Sequence, residues 1–241
     1  MSDALATTLI DPVADAADRV SELQARIKQM QSTKLDTRAL PTHPMFADLL
    51  PGDSLRSGVA YSIDGSLSLA MALMAGPSAA GSWCGVVGIP DFGTEAAAAF
   101  GIDLERLVLI PEPREHWLTV TTAVADVLTV VVITPPKRVS DGEVARLAAR
   151  LRQHGSTLLV LGNWPQTEAN LRITKSSWNG LGAGHGYLNG RAATVSVTGR
   201  GAISRSKEIF LGRQLSSVPV HVPVPIPAPA AQPAPRTLWA V

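Results

Sequence analysis

Phosphate binding is the chemistry that this sequence invites one to look for, and the residues that would perform it are missing. A loop that cradles phosphates needs glycines, so that backbone N–H groups can face the ligand, and a lysine to neutralise it. It lies between a strand and the N-terminus of a helix. The place for it follows the apolar run 59–63, where the chain reads Asp64-Gly65-Ser66-Leu67-Ser68-Leu69. That stretch is short, holds one glycine and no lysine, and opens on an acid that would repel phosphate. No lysine occurs between Lys34 and Lys137. Gly76-Pro77-Ser78-Ala79-Ala80-Gly81-Ser82 has two glycines at loop spacing, but Ser82 stands where lysine is required. This segment also follows a helix-like run and precedes a strand-like one, so it reads as a helix-to-strand turn. The acid that would hold magnesium at the end of an apolar strand is absent too: Val130-Val131-Val132-Ile133 runs into Thr134-Pro135.

Other chemistries fare no better. His43, His116, His154, His185 and His221 are scattered without metal-ligand spacing, and no Gly-x-Ser-x-Gly elbow occurs. Asp91 follows the apolar run 83–89, a position that suits a catalytic acid and suits a helix-capping residue better. Cys84 is the one cysteine; it can neither staple the fold nor hold zinc, and reads as a small core residue. The expectation is a protein that is not an enzyme, with no catalytic, cofactor or metal residue.

Basic residues cluster late. Arg172, Lys175, Arg191, Arg200, Arg205 and Lys207 fall on or beside strand-like runs, around a glycine-rich stretch at 179–186 read as a loop. Basic side chains near such a loop suit a nucleic-acid backbone, and Trp178 and Tyr187 beside it could stack on bases. The alternative is a solvated basic edge with two packing aromatics. These six basic residues are the candidate DNA contacts.

The elements that must position these residues come next. The chain has 241 residues, 46% of them apolar and 5% aromatic, enough for one α/β domain with appendages. Residues 1–136 carry 8 Lys/Arg against 16 Asp/Glu, and residues 137–213 carry 12 against 4. This polarity suits an anionic polymer or head-to-tail docking, unless the fold mixes the two halves on its surface. The N-terminus lacks the pattern of a signal peptide and no run has membrane-span length, so the expected location is cytoplasmic, on the nucleoid when active.

Residues 1–35 hold an amphipathic helix, over 13–34, with Val13, Ala16, Val20, Leu23, Ile27 and Met30 forming a heptad seam. Val20, Leu23, Ile27 and Met30 are its candidate partner contacts. Residues 36–58 are a turn-rich linker. Over 59–213, strand-like runs at 59–63, 83–89, 107–110, 128–133 and 157–161 alternate with helix-like runs at 66–74, 94–100, 115–126 and 140–154. Continuous apolar strands separated by helices imply a mostly parallel sheet covered on both faces. Runs at 171–175, 193–198 and 206–210 read as late antiparallel strands. Residues 214–241 form a tail expected to be disordered and extended, with seven prolines after Leu215. The tail ends on Leu238-Trp239-Ala240-Val241, a candidate docking peptide or an incidental apolar terminus.

Ile89-Pro90-Asp91-Phe92-Gly93, an alanine-rich helix, and Phe100-Gly101-Ile102-Asp103-Leu104-Glu105-Arg106-Leu107 together resemble the core of RecA recombinases. In this likeness residues 60–73 take the place of the phosphate-loop strand and helix, with the loop shortened, and the similarity spans roughly 15–212. Within that superfamily the chain most resembles the actinobacterial ImuA-type (ImuA-prime) accessory proteins of the mutasome. The resemblance implies a damage-inducible factor of the SOS response. It would act in translesion synthesis with ImuB, an inactive Y-family polymerase homologue, and with an error-prone replicative-type DNA polymerase. RecA, or a second copy of the chain, is a further partner it implies. The readings that remain beside it are a SulA-like inhibitor of cell division and a RecA-like ATPase with an unusual loop.

Overall fold

The computed structural model describes residues 38–136, 139–182, 185–199 and 204–212. Eight strands form one sheet in the order β3-β2-β4-β5-β1-β6-β7-β8. They are β1 (Ala60–Ile63), β2 (Cys84–Val87), β3 (Leu107–Ile110), β4 (Val130–Ile133), β5 (Thr157–Leu161), β6 (Ala169–Gly182), β7 (His185–Gly199) and β8 (Ser204–Gly212). The first six lie parallel; β7 runs antiparallel to both β6 and β8. Helices α1 (Leu67–Ala79), α2 (Thr94–Ala99), α3 (Trp117–Ala125) and α4 (Asp141–His154) connect the parallel strands. The mostly parallel α/β sheet with helices on both faces expected from the sequence is the one found, with the late antiparallel group in its place.

The central strands are apolar throughout because both of their faces are buried, and pleating sends alternate side chains to opposite layers. Tyr61, Val86, Val130, Val132 and Leu159 join one core, with α1, α2 and the segment before β1. Ala60, Val87, Val131, Ile133, Leu158 and Val160 join the other, with Val124 of α3 and Val144, Leu147 and Leu151 of α4. Leu171, Val195, Val197, Ile209 and Leu211 extend the first core under the antiparallel strands.

Residues 38–58 are part of that first core rather than a strand of chain between elements. Leu40, Phe46, Leu49, Leu50 and Leu55 are all buried. The segment folds on itself: Leu40 N–H donates to the Leu55 carbonyl at 2.8 Å, and Leu55 N–H donates to Thr42 Oγ1 at 2.9 Å. It also lies directly on α1. A Cβ at Gly76 would stand 2.7 Å from the Pro41 carbonyl oxygen and 2.9 Å from His43 N. That close approach explains why a glycine sits inside a helix.

Two departures from the sequence reading change how a segment is understood. Helix α1 runs to Ala79 and includes Gly76 and Pro77, where the sequence had suggested an end at Met74. The apolar environment on every side of α1 outweighs the poor intrinsic propensity of those residues. The glycine-rich stretch at 179–186 is largely strand: Leu181 pairs with Gly186 and Gly182 with His185. Ladder pairing with β7 carries this backbone, and register shifts at 173/175 and 179/181 absorb the irregularity.

Helix α4 begins and ends as its sequence specifies. Ser140 Oγ accepts from Glu143 N–H at 3.3 Å, Glu143 Oε2 accepts from Ser140 N–H at 2.7 Å, and Gly155 closes the helix with φ of 70°. Those bonds favour the carboxylate and hold Glu143 below its ordinary pKa. A depressed folded-state pKa stabilises above the unfolded value, and the contribution is lost as pH falls through the folded one. Protection factors of the amides over 140–144, taken relative to intrinsic exchange at each pH, are therefore expected to fall on acidification in the wild type. Glu143→Gln should exchange faster than wild type at neutral pH and lose most of that pH dependence. Identical profiles would remove the carboxylate from the cap.

Candidate functional site

Open α/β sheets bind ligands outside the carboxyl ends of their strands, so the end of β1 is the first place to inspect. Three residues, Asp64, Gly65 and Ser66, join β1 to α1. Ser66 is the N-cap of α1, and its Oγ accepts from Leu69 N–H at 3.3 Å. A link this short closes straight into the helix and leaves no backbone to wrap around phosphates.

The chain instead places a cation at this helix end. Arg191, on β7, donates from Nη2 to Ser66 Oγ at 3.0 Å and to Ser68 Oγ at 2.8 Å. Its guanidinium also lies 5.5 Å from the ring centroid of Trp178, its cross-strand neighbour on β6. Arg191 Nε is buried and has no hydrogen-bond partner among the described residues. A cation gains nothing from a helix N-terminus, whose field favours anions. What holds Arg191 is the pair of serine hydroxyls and the tryptophan face. Beside it, Arg172 Nε meets Asp64 Oδ2 at 2.7 Å; both side chains are more than half exposed, so the pair is worth about 0–1 kcal/mol.

The candidate DNA contacts divide between the two faces of the antiparallel strands. Arg172 pairs with Ser196 and Lys175 with Thr194, which places both on the face opposite Val195 and Val197. Lys175 is exposed there. Arg205 and Lys207 pair with Val197 and Val195 and share their face. Both reach the segment before β1. Arg205 Nη1 donates to the carbonyls of Asp48 and Leu50 at 3.3 Å each, and Lys207 Nζ donates to the Ala47 carbonyl at 2.9 Å. Part of the basic half is thereby docked on the acidic half. Arg200 lies outside the described residues, as do the partner candidates Val20, Leu23, Ile27, Met30, Leu238 and Trp239.

The remaining residues of interest are placed as follows. Asp91 is exposed, and the N-cap of α2 is Gly93, with no side-chain cap bond. Trp178 is 60% exposed on β6. Among the described residues there is no group of His, Cys, Asp or Glu suited to a metal ion, and no helix long and apolar enough to cross a membrane. Cys84 is fully buried, and burial pushes its thiol up to about 12. Because the thiolate is the reactive form, Cys84 is expected to resist iodoacetamide at pH 8 in the native protein and to react on unfolding. Rapid native labelling would show that β2 opens. The residues that sequence reading missed here are Ser66 and Ser68, whose partner lies more than 120 positions away along the chain.

The chain is 36% identical over 128 residues to an uncharacterized protein, Rv3395c, of Mycobacterium tuberculosis. The match covers 52% of this chain and 63% of that protein's length. Among solved structures, the flagellar accessory protein FlaH from Methanocaldococcus jannaschii superposes with a TM-score of 0.44 at 10% identity, over 71% of this chain and 93% of its own. Residues 48–166, which contain β1 to β5 and all four helices but none of the antiparallel strands, are similar to the family described as the MT3502 N-terminal domain.

Proposed function

We propose that this chain is a non-catalytic accessory protein of the DNA-damage-induced mutasome, supporting error-prone translesion synthesis. It acts in the cytoplasm, at the nucleoid, as an adaptor. Its partners are ImuB, the error-prone replicative-type polymerase in the same complex, and RecA or a second copy of itself. The observation that carries the reading is the three-residue link between β1 and α1. It leaves no phosphate cradle, and Arg191 is tied to Ser66 and Ser68 where a nucleotide's phosphates would approach. A RecA-like sheet without its nucleotide site retains its surfaces, and the resemblance to ImuA-type proteins supplies the pathway. Arg172 and Lys175 share one exposed face of the β6 ribbon and are the side chains best placed for a DNA contact; Trp178, exposed on the other face beside Arg191, is a separate candidate for stacking.

The test is capture of the tagged protein from DNA-damaged cells, full-length and truncated after Leu215, with partners identified by mass spectrometry. Recovery of a Y-family polymerase homologue supports the adaptor role. Its loss on truncation assigns the contact to the tail around Leu238 and Trp239. Recovery of a cell-division protein, or of no replication or repair protein, overturns the role. Tight binding of a fluorescent ATP analogue by the purified chain would overturn its non-catalytic character.

A further inference from the structure

We propose that a groove beside α4, at the amino ends of the strands, seats the apolar seam of residues 13–34 of the same chain. The groove encloses about 510 Å³. Ala60, Leu147, Ala148 and Trp164 are among its apolar lining residues, and Arg56, Arg152, Gln166 and Glu168 line it with polar groups that suit the polar flanks of an amphipathic helix. It lies where β1 begins and α4 ends, the end of the sheet opposite the one that takes ligands in open α/β folds. Its position therefore argues for a polypeptide occupant over a small molecule.

The path of the chain selects which polypeptide. Ser57 N–H donates to the Arg38 carbonyl at 2.9 Å, and Ala39 bridges to Arg56. Arg38 and Arg152 together line the adjoining cavity, so the chain enters the described fold next to the groove's rim. The four steps from Lys34 to Arg38 reach at most about 14 Å. A helix over 13–34 is roughly 33 Å long and can lie across the groove as soon as it leaves Arg38. Val20, Leu23, Ile27 and Met30 form one narrow apolar stripe on an otherwise polar segment. Most helical stability in proteins comes from packing an apolar face, so the stripe needs cover. The groove offers that cover without a second molecule. This inference does not rest on the adaptor role; it implies that partner contacts fall to the tail while the seam is seated.

Hydrogen exchange on the full-length chain tests it, with one variant on each side of the contact: Leu23→Asp on the seam and Ala148→Arg on the groove. Ala148 is only half-buried, so the arginine can be accommodated by the folded helix. Exchange in peptides covering 13–34 is expected to rise at least about tenfold in both variants, since each removes buried apolar area from the same contact. Peptides covering 144–152 are expected to lose protection in Leu23→Asp, with the protein monomeric by sedimentation throughout. Unchanged exchange over 13–34 in Ala148→Arg would overturn the proposal. Protection that depends on concentration and accompanies a dimer would overturn it too, assigning the groove to a second copy. Partner capture from cells reads the adaptor role separately, so failure of one reading is distinguishable from failure of the other.

Discussion

Replacing Phe46 by alanine is expected to lower the stability of the chain by about 3–5 kcal/mol, the range for deleting a buried aromatic ring. Phe46 is fully buried, in a segment whose only helices are the 3-10 turns Pro44–Phe46 and Pro51–Asp53. Its ring belongs to the core that joins α1 to Val195, Val197, Ile209 and Leu211 under the antiparallel strands. The hydrogen bonds from Arg205 and Lys207 to the carbonyls of 47, 48 and 50 would remain, but they are partly exposed and worth about 1.5–3 kcal/mol each at best. They are present in wild type and variant alike, so they do not offset the lost ring. Single domains are stable by about 5–15 kcal/mol, so the variant should be near the limit of folding. Urea denaturation measures both the effect and its route. A fall in midpoint with unchanged slope means that 38–58 stays docked over a cavity. A reduced slope means that the segment has already detached in the native state. A loss under 1 kcal/mol would show that 38–58 is not core.

Gly76→Ala is expected to destabilise by about 1–3 kcal/mol, although alanine is the better helix former. In an open helix the same change would stabilise by about 1 kcal/mol, so the sign of the result is diagnostic. The new methyl would stand 2.7 Å from the Pro41 carbonyl oxygen, 2.9 Å from His43 N and 2.9 Å from Thr42 Cα. All three are backbone atoms, so no side-chain rotation relieves the overlap. Relief requires 41–43 to lift from α1, which disturbs the hydrogen bond between Thr42 Oγ1 and Leu55 N–H. Gly76→Val should be worse in the same direction. A rise in melting temperature for Gly76→Ala would mean that 41–43 does not rest on the helix.

The two positions show where sequence reading reaches its limit. Phe46 lies among prolines and glycines, in a stretch whose composition reads as connector. Its burial depends on which surface the stretch meets, and that surface is assembled from α1, β7 and β8. Gly76 reads as part of a turn because glycine and proline are poor helix formers; only the proximity of 41–43 explains it as helix interior. The basic residues behave likewise. Their clustering is visible in the sequence, but β-pairing parity divides Arg172 and Lys175 from Arg205 and Lys207, and parity follows register. The bulge at 173/175 lies between Arg172 and Lys175 and keeps them on one face despite their odd spacing.

What the sequence determined by itself was local or repetitive. The parallel strands were legible because burial on both faces makes them continuous apolar runs. Helix α4 was legible because Ser140, Glu143 and Gly155 act within a turn of their own backbone. The missing phosphate loop was legible because such a loop is a contiguous motif, and a contiguous absence can be read directly. What only the tertiary structure decided was pairing between distant segments: Arg191 with Ser66 and Ser68, Lys207 with Ala47, and 38–58 with α1. Such contacts carry no short-range signature. They are set when strand order and register bring the segments together, and the side chains then take the partners that lie within reach.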